Sequence, residues 1–210
     1  MRPAGILFDF GGVLAPFFRP ALFRTLEDEL GLQPGSLPEI LWRSGDWRLA
    51  EVGAIDDEEY WRRMAPRLGL CTETERAQAR LRALRQAVYG HVEVDPEMVN
   101  LVRRLGGSYR IGLLSNTSER QPERMLRRYG LEGLFDAVVL SAAVGLAKPD
   151  SAVYRLAVRR LGTELEGTVF VDDNQPNVTA ALEQGLHGLH FTGYAELVVA
   201  LEELGVNAAG

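Results

Sequence analysis

Lysine is nearly absent from this 210-residue chain: of its 23 cationic side chains, 22 are arginine and one, Lys148, is lysine. An ammonium is a compact point charge and a guanidinium a broad planar fork, so a lone lysine against that background marks a candidate tight site. Cysteine is equally scarce. Cys71 is alone, which excludes an internal disulfide and agrees with a reducing compartment. It stands beside Thr72 at an expected helix start with no base nearby, so a catalytic thiol is not expected. Excess positive charge is absent too. The net charge is -6 and the pI about 5.2, which argues against nucleic acid or an anionic membrane as the main partner. A small anionic substrate is still compatible, because a local cluster of cations can hold one. No apolar stretch approaches the roughly 18–20 residues a membrane span needs. The apolar run from Gly5 to Phe18 is interrupted by Asp9, has only Arg2 before it and meets no small-residue cleavage site, unlike a signal peptide. A cytoplasmic protein, monomer or homodimer, is expected.

What the chain does contain is an ordinary globular composition, 46% hydrophobic and 25% charged, with no internal repeat and no low-complexity segment. Short apolar runs bounded by turn residues fall at Gly5–Phe8, Ile111–Leu114, Ala137–Leu140, Val169–Val171 and Leu189–Phe191. Helix-period segments lie between the later ones, at Glu119–Tyr129, Ala152–Leu161 and Asn177–Leu186. Strands alternating with helices predict an α/β fold built on a doubly wound, mostly parallel sheet, with ligands outside the carboxyl ends of its strands. The first gap differs. From Arg19 to Val92 only helical signals occur: Pro20–Leu30, Leu37–Arg43, Trp47–Glu51, a helix capped by Asp56 and Asp57, and a long helix opened by the capping-box sequence Thr72-Glu73-Thr74-Glu75. Asp95-Pro96-Glu97 caps the helix leading into the second strand. An all-helical insertion, residues 16–93, is therefore expected within an α/β core formed by 1–15 and 94–210.

Four stretches put polar residues at the ends of buried strands. They are Phe8-Asp9-Phe10-Gly11-Gly12, Leu114-Ser115-Asn116-Thr117, Ala147-Lys148-Pro149-Asp150 with Tyr154 beyond it, and Val171-Asp172-Asp173-Asn174 with Asn177 a helical turn later. Singly, each suits a turn or a helix cap. Together, parallel strands bring them to one rim, where three carboxylates repel one another unless a hard cation lies among them. Magnesium takes oxygen ligands of this kind, and Lys148 with Ser115 is left to hold an anion.

In this order and at these spacings the stretches resemble the four motifs of the haloacid dehalogenase superfamily of hydrolases, most of which are phosphatases. The resemblance extends over essentially the whole chain, including a helical cap after the first strand. It implies a magnesium-dependent phosphomonoester hydrolase acting on a small phosphorylated metabolite. Asp9 is the implied nucleophile, forming an aspartyl-phosphate. Asp9, the Gly11 carbonyl, Asp172 and Asp173 are the implied metal ligands. Gly11, Gly12, Ser115, the Asn116 amide and Lys148 would contact the phosphoryl group, with Lys148 neutralising charge in the transition state.

The chain departs from that pattern at Gly11, where superfamily phosphatases usually carry the aspartate that protonates the leaving oxygen. Such a proton donor is worth roughly 10²–10⁴-fold. Its absence leaves open a phosphatase with a good leaving group, one that takes the proton from its substrate or from a donor in the cap, a metal-independent 2-haloacid dehalogenase, or a slow or non-catalytic phosphate binder. The superfamily's dehalogenases usually have tyrosine at this position and need no metal. A phosphatase subgroup that includes sugar-1-phosphate phosphatases also has glycine there, so sugar phosphates are the expected substrates. Trp42, Arg43, Trp47 and Arg48 are candidates to face the substrate. Phe17, Phe18 and Trp61 are expected mainly to pack, and His91, His187 and His190 to be structural. Asp9-Phe10-Gly11 also reads as a kinase magnesium motif, but nothing precedes it to form a kinase lobe. The glycosylation sequons at Asn116 and Asn177 fall inside the expected site.

Overall fold

The computed structural model describes residues 2–16, 19–70, 74–90 and 92–208. Its centre is a sheet of five parallel strands, β1 (Gly5–Phe8), β2 (Arg110–Ser115), β3 (Ala137–Leu140), β4 (Thr168–Asp172) and β5 (His187–His190), in the order β3-β2-β1-β4-β5. Strand β1 forms because Ile6, Leu7 and Phe8 are all fully buried, and its alternation divides the core. Ile6 and Phe8 enter one apolar cluster while Leu7 enters another on the opposite face.

Between β1 and β2 the chain passes through α1 (Pro20–Leu30), α2 (Ser36–Trp42), α3 (Gly45–Glu51), α4 (Asp57–Met64), α5 (Glu75–Gly90) and α6 (Pro96–Leu105). The first five build their own apolar cluster around Phe23, Leu37, Tyr60, Met64 and Val88. Buried Glu27 ties α1 to α2, its carboxylate accepting from the Gly35 and Leu37 amides at 2.8 and 2.9 Å. Helix α5 begins at Glu75, with Thr74 Oγ1 accepting from the Ala77 amide. Thr72, from which the sequence pattern would start the helix, lies outside the described residues, as do Phe17, Phe18, Cys71 and His91. Asp95 caps α6 as expected, accepting from the Glu97 and Met98 amides.

Helices α7 (Pro122–Tyr129), α8 (Ser141–Val144), α9 (Ser151–Leu161), α10 (Gln175–Glu183) and α11 (Tyr194–Glu203) complete the fold. Residues of α6, α7 and α11 pack with Ile6 and Phe8; those of α9 and α10 pack with Leu7. From β1 the strand order runs outward through β2 to β3, then returns to the other side of β1 at β4. The carboxyl ends of β1 and β4 therefore flank a topological switch point, where doubly wound sheets place their ligands. The last strand departs from expectation. It spans His187–His190 instead of Leu189–Phe191: the strand is only partly buried, and the apolar run overlaps it only at Leu189 and His190. Among the described residues, no helix is long and apolar enough to cross a membrane.

Candidate active site

Phe8 lies level with Leu113 on β2 and Val171 on β4. Asp9, the end of β2 and Asp172 are therefore brought to one rim. The Asp9 amide donates to the Val171 carbonyl at 2.9 Å, and its carboxylate Oδ1 accepts from the Phe10 amide at 2.7 Å. The chain then turns sharply. Gly12 has φ +81°, and a Cβ there would stand 2.0 Å from Asp173 Oδ2. Glycine is required at position 12 both by the left-handed backbone and by the carboxylate packed against it. Asp9, Asp172 and Asp173 each offer a carboxylate oxygen, all within 4.8 Å of one another.

Lys148 is the cation of this rim. Its ammonium is fully buried and contacts Asp9 Oδ1 at 2.8 Å, Asp172 Oδ2 at 2.6 Å and the Leu114 carbonyl at 3.0 Å. Three N–H groups thus meet three acceptors, a geometry a guanidinium does not reproduce. Burial pulls the ammonium's pKa down, but Asp9 and Asp172 outweigh it and the net shift is upward. Asp9 moves the other way in stability: burial pushes its carboxyl up to about 7 in spite of Lys148, with Asp172 adding to the rise. Asp173, at the exposed edge, is also raised, first by partial burial and then by Asp172. Three carboxylates against one ammonium leave the rim short of positive charge.

Such a donor set fits a magnesium ion. Two oxygens bound directly to one magnesium, at about 2.1 Å each, lie at most about 4.2 Å apart. A trio within 4.8 Å closes on one ion directly or through a water.

Asp172 is held by neighbours for which the sequence reading gave no role. Asn177 Nδ2 donates to its two oxygens at 3.2 and 3.1 Å, and the Asn174 amide donates to Oδ1 at 2.7 Å. Tyr154, T-shaped against Phe170, donates its hydroxyl to the Asn177 carbonyl at 2.8 Å. The order Asp-Asp-Asn-x-x-Asn was visible, and its spacing, one helical turn past the strand, was the signal. Asn116 clamps the loop of Lys148: its Oδ1 accepts from the Lys148 amide and its Nδ2 donates to the Lys148 carbonyl, both at 2.9 Å. That commits the Asn116 side chain to positioning. Ser115 is buried beside the rim and lines the cavity above it. The Lys148–Pro149 peptide bond is cis.

That cavity, about 1310 Å³, lies between the rim and helices α2 to α5. Asp9, Gly11, Gly12, Ser115, Asn116, Lys148 and Asp173 line its floor, and Trp42, Arg43 and Trp47 line it from the helical side. Arg48 is exposed and lies outside the lining; Trp61 is buried among Tyr60 and Tyr89. His187 and His190 bond the Glu166 and Asp173 carbonyls, which is structural work. Glu51, at the end of α3, also faces the cavity, and residue spacing had not singled it out.

The comparisons with known proteins follow the same lines. The Sesquiterpene phosphatase astK of Aspergillus oryzae is 28% identical over 200 residues, covering 94% of both chains. An (S)-2-haloacid dehalogenase of Pseudomonas putida is 30% identical over 193 residues, covering 86% of this chain and 81% of the relative. The HAD family enzyme bt-2542 of Bacteroides thetaiotaomicron, solved as a magnesium complex, superposes with a TM-score of 0.75 at 20% identity over 94% of this chain and 98% of that one. Residues 3–185 match the haloacid dehalogenase-like hydrolase family as a whole, and the chain belongs to that family.

Proposed function

We propose that this hydrolase is a magnesium-dependent phosphomonoesterase that transfers a phosphoryl group to Asp9 and then to water. The observation that carries the reading is the rim itself: Asp9, Asp172 and Asp173 lie within 4.8 Å of one another, and among the described residues Lys148 is the one lysine or arginine in salt-bridge contact with them. A metal-free displacement of halide has no use for the Asp173 carboxylate, whereas a cation does. Magnesium held by Asp9, Asp172, Asp173 and the Gly11 carbonyl would screen the repulsion between Asp9 and an anionic substrate. Asp9 Oδ1 is occupied by the Phe10 amide and Lys148, so attack on phosphorus falls to the other oxygen. Lys148, fixed through the Asn116 clamp, offsets charge on the attacking carboxylate and the transferring group. Ser115 and the Asn116 main-chain amide bind phosphoryl oxygens. The glycines at 11 and 12 let the backbone approach them.

Residues 16–93 act as the cap in this reading, closing the substrate away from water. The cavity exceeds the roughly 300–1,000 Å³ of common ligand pockets, so it takes a phosphate with a sizeable organic group. Sugar phosphates are the expectation from the sequence. Phe10, Trp42, Trp47, Met125 and Tyr129 on the walls, and the astK relative's name, put phosphorylated terpenoids in the same screen. A 2-haloacid dehalogenase is the second reading, favoured by the Pseudomonas relative; there Asp9 attacks the halide-bearing carbon.

The test is turnover of an aryl phosphate and of a 2-haloacid, each with magnesium and with chelator. Magnesium-dependent phosphate release, lowered about 10³-fold or more in Asp9→Asn as for loss of a nucleophile, supports the proposal. Halide release in chelator without phosphate release would replace it with the second reading.

A further inference from the structure

We infer that Glu51 is the proton donor to the leaving oxygen, reaching the site from α3 in place of the carboxylate that position 11 lacks. The inference rests on the phosphomonoesterase reading. It starts from an inventory of the cavity walls. Besides the rim carboxylates, the acids lining the cavity are Glu39, Glu51, Asp56, Asp57 and Glu119. Glu39 pairs with Arg43. Asp56 caps α4 through the Glu59 amide. Asp57 pairs with Arg85 and accepts from Ser118. Glu119 pairs with Arg124 and accepts from two amides. Among the described residues, Glu51 is the one acid of this set with neither a cation in salt-bridge contact nor a capping duty. Among the described residues, no histidine lines the cavity. Its tyrosines Tyr89 and Tyr129 are made weaker acids by burial.

Glu51 is also held in place. Its Oε2 stands 3.4 Å from Asn116 Nδ2, the same amide that clamps the main chain of Lys148, whose ammonium contacts Asp9. The segment just beyond it is pressed onto the core. A Cβ on Gly53 would stand 2.3 Å from the Ala142 carbonyl, and Arg120 donates to the Gly53 and Ile55 carbonyls. The carboxyl is thus held on the cavity wall beside the Lys148 loop, with Asn116 as the link between them.

The electrostatics suit a donor. Burial raises the Glu51 pKa, and it stays raised although Arg48, the Trp47 and Asn116 side chains, and Lys148 all pull the other way. A bound phosphate anion adds a further push in the same direction. In the first half-reaction an Asp9 oxygen bonds to phosphorus, the P–O ester bond breaks with its electron pair passing to oxygen, and that oxygen takes the Glu51 proton. In the second, the Glu51 carboxylate takes a proton from water as that water bonds to phosphorus and the Asp9–phosphorus bond breaks. Phosphate leaves with both groups restored.

The experiment compares wild type and Glu51→Gln on 4-nitrophenyl phosphate, whose leaving group needs no proton, and on an alkyl phosphate, whose leaving group does. Circular dichroism and melting verify that the variant is folded. The expected result is a fall of about 10²-fold or more in the alkyl-to-aryl ratio of kcat/KM, the scale of a lost general acid, with loss of the basic limb of the alkyl-ester kcat pH profile. An equal loss on both esters would overturn the assignment and make Glu51 a positioning residue for Asn116. No loss on the alkyl ester overturns it outright. Asp9-dependent hydrolysis of the aryl ester by wild type upholds the phosphomonoesterase reading whatever Glu51→Gln does. Its absence from wild type removes both.

Discussion

Replacing Lys148 by methionine removes the cation paired with Asp9 and Asp172 while keeping most of the side-chain volume. The ammonium is fully buried and satisfies Asp9, Asp172 and the Leu114 carbonyl at 2.8, 2.6 and 3.0 Å. Without it, two buried carboxylates face each other. Asn177 and the Asn174 amide still serve Asp172, and Asp9 keeps the Phe10 amide. Breaking a buried pair by removing one partner costs about 3–5 kcal/mol. For a domain of this size, about 2–4 °C of melting temperature goes with each kcal/mol, so in chelator the variant should melt roughly 6–20 °C below wild type. Changing Asp172 to Asn in the Lys148→Met background removes one of the two stranded charges. The double variant should therefore lose less than the sum of the single changes, by about 1–3 kcal/mol of coupling. Thermal and urea unfolding of the four proteins in chelator measure this directly. A Lys148→Met loss below 1 kcal/mol, or strict additivity, would refute the view that Lys148 holds the rim together.

Two further outcomes follow from the same geometry. Gly12→Ala places a Cβ at φ +81° where Asp173 Oδ2 would be 2.0 Å away. It should cost about 1–2 kcal/mol for the left-handed backbone and raise the magnesium concentration for half-maximal activity; an unchanged magnesium dependence would contradict the packing of Asp173 on this turn. Asn177→Ala removes the amide that donates to both Asp172 oxygens at 3.2 and 3.1 Å. A loss of about 1.5–3 kcal/mol, usual for hydrogen bonds to a charged group, is expected in urea denaturation, and a loss under 0.5 kcal/mol would contradict it.

The parallel core was legible because four of its strands are apolar runs that are almost wholly buried. Gly5–Phe8 and Ala137–Leu140 are strands with the bounds their apolar runs indicate. Strand β5 was misplaced because it is only partly buried: His187-Gly188 gives no apolar signal, so the apolar run starts two residues late, at Leu189. Short α8, only Ser141–Val144, is too brief for a period of 3.6 to show. Asp9, Lys148, Asp172 and Asp173 could be read as one cluster because parallel strands bring their ends together. What spacing could not tell was which polar side chains serve the others. Asn116 clamps Lys148, and Asn177 holds Asp172, through contacts between separate elements. Glu51 was hidden for a related reason. It lies one helical turn past Trp47, where a carboxylate at a helix C-terminus opposes the macrodipole, but only the docking of α3 on the core shows where it points.

The most direct test of the central claim is to quench the enzyme with acid during turnover of an aryl phosphate in magnesium and map any covalent phosphoryl group by peptide mass spectrometry. The expected result is a hydroxylamine-labile phosphoryl group on Asp9, missing together with turnover in Asp9→Asn. Turnover that persists in Asp9→Asn, or a phosphoryl group on any other residue, would contradict the assignment of Asp9 as the nucleophile.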